Sequence, residues 1–125
     1  MPSGQITTLT WHIPGTLAAD LAIRQKMQFD AQLIHVSAVG SNAYAAGLQI
    51  GTASDAEAYL VKRSIGTSGI PVALTLANFV NGSSGAYPRI TAGSALCLAL
   101  DYDYNGGGSG SASANVTITL TLLVG

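Results

Sequence analysis

Asp101-Tyr102-Asp103-Tyr104-Asn105-Gly106 is the densest cluster of reactive groups in this chain. It reads D-x-D-x-N-G, the opening of a calcium loop in which alternating oxygens converge on a hard cation. Asp101, Asp103 and Asn105 are its candidate metal ligands. Such a loop closes on a bidentate Glu, and Ala112 stands at that position here, with no helical pattern on either side. The same carboxylates form a candidate acid–base pair. On one strand face they lie about 7 Å apart, a spacing that glycoside hydrolysis can use. Catalytic pairs of this kind usually come from different elements around an aromatic-walled cleft, and no such walls are legible. Two exposed aspartates entering a Gly turn are the plainer account.

Other chemistry finds less material. His12 and His35 are the only histidines, and Cys97 is the only cysteine. Zinc needs three or four ligands, and no characteristic spacing joins these residues to the scattered carboxylates. Each histidine sits on the parity opposite the more apolar one of its strand, which fits exposed or interfacial positions. A lone Cys97 makes no intrachain disulfide and packs as a small hydrophobe. Serines are plentiful without a G-x-S-x-G elbow. The Gly106–Ser113 stretch lacks the G-K-[ST] and following helix of a phosphate loop. No catalytic residue and no cofactor is assigned, and the chain reads as a non-enzyme. Trp11, Tyr44, Tyr59, Tyr87, Tyr102 and Tyr104 can stack on sugars, but Trp11, Tyr102 and Tyr104 fall on apolar parities and read as packing. Tyr87, in NGSSGAYP, is the one most free to touch a ligand.

Bulk composition narrows the classes further. The chain has 125 residues, enough for one domain with its own core. Charged residues are 9% of it, with a net charge of −1, against about 25% in ordinary soluble proteins. No basic field exists to hold a phosphate backbone, so nucleic-acid binding is not expected. A surface built from Ser, Thr, Asn, Gln and Gly fits a chain largely covered by partners, since free monomers usually stay soluble through charge. No apolar run approaches the ~18 residues that span a membrane. MPSGQITTLTW has no basic region leading into an apolar core, so no signal peptide is expected.

The elements that carry these residues are strands. Ala95–Tyr104 alternates, with Leu96, Leu98, Leu100, Tyr102 and Tyr104 on one parity. Val116, Ile118, Leu120, Leu122 and Val124 share a parity opposite Thr117, Thr119 and Thr121. Strict alternation marks strands with one buried face, and the two runs read as the central hairpin of a sandwich or barrel. Upstream, Gln5–Ile13 is a strand with Leu9, Trp11 and Ile13 on one side, ended by Pro14-Gly15. Thr16–Ile23 fits a helical turn or an apolar loop. Arg24–Phe29 is extended, with Met27 and Phe29 on one parity. Gln32–Val39 is a strand with Ile34, Val36 and Ala38 inward, and Ala43–Ile50 is another. Ser54 with Glu57 matches a capping box, favouring a short helical turn before a strand over Tyr59–Arg63, although a strand from Tyr59 alone also fits. Val72, Leu74 and Leu76 mark a further strand. The expectation is an all-β chain, an antiparallel β-sandwich of jelly-roll-like type. It has about eight strands and at most a short helical turn near 54–60. Residues 1–6 form an N-terminal arm and 7–125 a single domain.

The order of motifs is familiar: W-x-I-P-G-T-L (Trp11–Leu17), I-G-T-A-S-D-A-E-A-Y-L (Ile50–Leu60), I-G-T-S-G (Ile65–Gly69), I-T-A-G-S-A-L-C-L-A-L-D-Y-D (Ile90–Asp103) and N-V-T-I-T-L (Asn115–Leu120). It resembles small β-sandwich virion proteins of tailed bacteriophages, of the capsid decoration and head-fibre type. The resemblance covers nearly the whole chain and brings no catalytic residues with it. It implies a non-enzymatic capsid decoration (cement) protein on the virion capsid surface, a homotrimer whose partner is the major capsid protein. Contact regions would be Met1, Pro2, Ser3, Gly4, Gln5 and Ile6, together with Gly107, Gly108 and Ser109. The alternative is a receptor- or glycan-binding head-fibre or tail-tip module using Tyr87 and the Asn81–Pro88 loop.

Overall fold

The computed structural model describes residues 5–80, 82, 85–102, 104 and 112–124. Nine strands run through them: β1 (Gln5–Thr16), β2 (Leu21–Lys26), β3 (Ala31–Val39), β4 (Gly47–Gly51), β5 (Leu60–Ser64), β6 (Val72–Leu74), β7 (Arg89–Ile90), β8 (Ala95–Asp101) and β9 (Ala114–Val124). One 3-10 turn, Leu76–Asn78, follows β6. The strands form two antiparallel sheets. The first has the order β1-β9-β3-β6, with β7 also paired to β3; the second has the order β2-β8-β4-β5. Successive strands mostly switch sheet. Only β4 and β5 are consecutive neighbours within one sheet.

The side-chain period of two makes this packing work. Leu96, Leu98 and Leu100 of β8 and Val116, Ile118, Leu120 and Leu122 of β9 are all buried, and they meet Leu33, Val36, Leu48, Ile50 and Leu60 in one core between the layers. Through Leu100 and Leu122 both runs have the parity their alternation predicts; β8 ends at Asp101, and Tyr104 beyond it is 40% exposed beside Lys62, off the buried face. The hairpin does not exist: β8 pairs with β2 and β4, and β9 pairs with β1 and β3. Each is a middle strand of its own sheet. Alternation reports one covered face, and a face covered by the opposite layer looks the same in sequence as one belonging to a hairpin.

Other expectations change for local reasons. A bulge between Leu33 and His35 shifts the register of β3 against β9. Leu33 is therefore buried and Ile34 only half-buried, while Val36 and Ala38 point inward as expected. Pro14-Gly15 does not end β1. The strand runs on through a second irregularity to Thr16, with Gly15 at φ 81 and Asn115 opposite at φ 49. The Gly15 N–H donates to Asn115 Oδ1 at 2.8 Å, so two left-handed residues close this bulge. The ambiguous Thr16–Ile23 segment resolves as a loop followed by β2 from Leu21, and Met27 is buried just beyond β2 while Phe29 stays exposed. β4 begins at Gly47, so Ala43–Ala46 is irregular. Residues 54–59 form turns, not a helix. There the Thr52 hydroxyl accepts the Asp55 N–H at 3.0 Å and the Asp55 carboxylate accepts the Glu57 N–H at 3.1 Å, a local pattern that competes with helix formation.

Candidate interaction surfaces

Asp101 ends β8 on the outer face of the second sheet. Its Oδ2 lies 3.1 Å from Lys62 Nζ, with the two side chains 27% and 33% exposed. That hydrogen bond holds the Lys62 ammonium above the usual lysine range; the nearby charges of Glu57 and Asp20 act in the same direction, and partial burial opposes them. The Tyr104 ring lies 5.8 Å from the same Nζ. Ring and lysine stem both rest over Gly47, where an added Cβ would come within 2.7 Å of the ring and 2.9 Å of Lys62 Cγ. Beside them is a shallow depression of about 240 Å³ lined by Asp20, Ala22, Gln49, Lys62, Ala99 and Asp101, among others. The first proposed metal ligand thus already faces a cation. Asp103 and Asn105 lie outside the described residues, as do Met1, Pro2, Ser3, Gly4, Gly107, Gly108 and Ser109. No group of three or more His, Cys, Asp or Glu side chains converges among the described residues.

The remaining described carboxylates tie backbone. Asp20 accepts the Tyr102 N–H at 3.1 Å, Asp30 the Ala92 N–H at 2.8 Å, and Glu57 the Lys62 N–H at 2.8 Å. These charged acceptors fix loop ends, which suits them to architecture. His12 and His35 both belong to the first sheet, with His12 Nδ1 2.8 Å from Thr117 Oγ1. His12 is opposite Thr117 and His35 opposite Thr121, roughly 13 Å apart along β9 at the strand rise. Cys97 is half-buried on the outer parity of β8, outside the core. Burial pushes the hydroxyl of Tyr59 up, and the neighbouring Cys97 adds to it. Tyr87 leans on buried Phe79 with ring centroids 6.4 Å apart at 57°, so one edge of its ring is already occupied.

The outer face of the first sheet has a different character. Thr8, Thr10 and His12 of β1 pair with Thr121, Thr119 and Thr117 of β9, which pair in turn with His35, Ser37 and Val39 of β3. Arg89 is the single charged residue in the strands of this sheet; β2, β5 and β8 carry Arg24, Lys26, Lys62, Arg63 and Asp101. Gln5 and Ile6 are the first two residues of β1, paired with Val124 and Leu123, and Ile6 is 62% exposed. The segregation of charge between the two layers was missed in the sequence. Its signal was there, since Met1–Ala19, Ala31–Ser54 and Ser64–Pro88 contain no charged residue.

No family model matches the chain. No curated protein matches it either. Among solved structures, it is similar to a chain of the cyanophage Pam1 capsid asymmetric unit. The TM-score is 0.56 at 17% identity, over 98% of this chain and 87% of that one. At that identity the likeness shows a shared fold over nearly the whole chain.

Proposed function

We propose that the chain is a non-enzymatic structural protein of a phage virion: a capsid decoration protein, homotrimeric, bound to the major capsid protein on the capsid surface. The observation that carries this reading is the end-to-end fold likeness to a chain of a phage capsid. The strand order supports it, because two four-stranded sheets exchanging successive strands match a jelly-roll sandwich with β7 as an addition. So does the use of the described carboxylates as backbone ties.

In this reading the uncharged Thr face of the first sheet lies against the shell. The exposed Ile6 end of β1 and residues 1–4 extend the contact, and Gly107–Ser109 supplies a second one. The action is mechanical. The protein clamps adjacent capsid subunits against the pressure of packaged DNA, and many copies on one shell make individually weak contacts sufficient. The test is cosedimentation of the purified chain with capsid shells lacking it, with copy number read from the pellet. Saturation at a symmetric copy number is expected. No binding to expanded shells overturns the reading.

A further inference from the structure

β1 and β2 are the edge strands of their sheets, and with four residues between them their joined ends lie at most about 18 Å apart. They therefore lie on the same side of the sandwich, one above the other. There the core is not closed. Leu9, Trp11 and Ile13 of β1 and Leu21 and Ile23 of β2 pack against the buried cluster yet remain half-exposed. Charge on β2 sits on the other parity, at Arg24 and Lys26, opposite Cys97 and Ala95 on the outer face. Along the same edge β1 offers twelve residues without a single charge. Its free side has no strand partner among the described residues. Native edges are ordinarily blunted with Lys, Pro or bulges, and here Pro14 and the bulge protect only the far end.

We infer that this β1/β2 edge is where copies of the chain meet, each burying its stripe against the same stripe of its neighbours around a symmetry axis. Three observations favour a second copy as the occupant. The exposed stripe belongs to both layers, so a single added strand would cover β1 and leave Leu21 and Ile23 wet. An edge strand with no charge meets no repulsion from its own image. The twelve residues of β1 run about 40 Å and the six of β2 about 20 Å; at about 10 Å of width per layer the edge offers about 600 Å², the lower end of the roughly 600–1,000 Å² per partner of a stable interface.

The inference deepens the self-association half of the proposed function, and the isolated chain tests it without a capsid. Trp11 is the only tryptophan, so its fluorescence reports this edge alone. Light scattering and acrylamide quenching across the micromolar range should show an oligomer with Trp11 protected several-fold, the protection lost as dilution dissociates it. Ile23→Lys should raise the dissociation constant by about a hundredfold or more, through a charge buried in each copy. Ile70→Lys, at an exposed turn on the far side, should leave assembly intact. A monomer at all concentrations, an oligomer whose Trp11 stays freely quenched, or dissociation by Ile70→Lys instead overturns the inference. The wild-type quenching decides it even if Ile23→Lys fails to fold. An oligomer that ignores shells removes the decoration reading and leaves this one; a monomer that binds shells does the reverse.

Discussion

Asn115 links three stretches of chain through one side chain. Its Oδ1 accepts the Gly15 N–H at 2.8 Å, its Nδ2 donates to Ser41 Oγ at 3.0 Å, and its own backbone stands at φ 49. Asn115→Ala should cost about 1–3 kcal/mol in urea unfolding, because both bonds go and Ala tolerates the left-handed region less well. Ser113 beside it is fully buried, and its hydroxyl finds no partner among the described residues. Ser113→Ala should therefore leave stability unchanged or raise it by up to about 1 kcal/mol. A Cβ on Gly40 would press on that same hydroxyl and sit 3.3 Å from the Ala114 carbonyl, so Gly40→Ala should destabilise, and less so in the Ser113→Ala background. Lys62 gives a pH prediction. Its folded pKa is raised by Asp101, so its contribution is complete below the unfolded lysine value and fades as pH climbs through the folded one. Stability should fall more steeply above about pH 10.5 in the wild type than in Asp101→Asn, measured by urea midpoints.

At the scale of elements, the middle strands carry the core. Leu98 on β8 and Leu120 on β9 are buried in opposite layers, so each change to Ala should cost about 2–5 kcal/mol in denaturant unfolding. Thr8→Ala on the exposed face of β1 should stay within about 0.5 kcal/mol. The inward sets of β8, β9 and most of β1 were legible in the sequence because one buried face imposes a period of two. Pairing was not legible, since it depends on which strands lie side by side, and alternation is silent on that. The β3 bulge hid the shift from Leu33 to Val36, because a two-residue template assumes an unbroken pleat. The turn at 54–59 read as helical because Ser54 and Glu57 have capping-box spacing, whereas the Thr52 and Asp55 side chains take those backbone groups for turns. Asp101 was legible as a polar strand end. Its partner Lys62 comes from 39 residues away and carries no local signal.

For the whole molecule, the proposed function gives the division of charge a direction: the bland sheet would face the shell and the charged sheet water. Thr119 lies on β9 at the middle of the bland face, opposite Thr10 and Ser37. Thr119→Lys should weaken shell binding at least about tenfold, the effect of one desolvated charge, while unfolding shifts by about 0.5 kcal/mol or less. Binding curves beside thermal melts would separate the two effects. The pairing of Gln5 with Val124 has a consequence for synthesis. β1 can find its neighbour only after β9 has been made. Until then the middle of the first sheet is missing, and with it the centre of the uncharged Thr face. Closure of the first sheet is therefore a late, long-range event, of the kind that slows folding. Under the proposed function, a chain lacking β9 would have no Thr face with which to hold a shell.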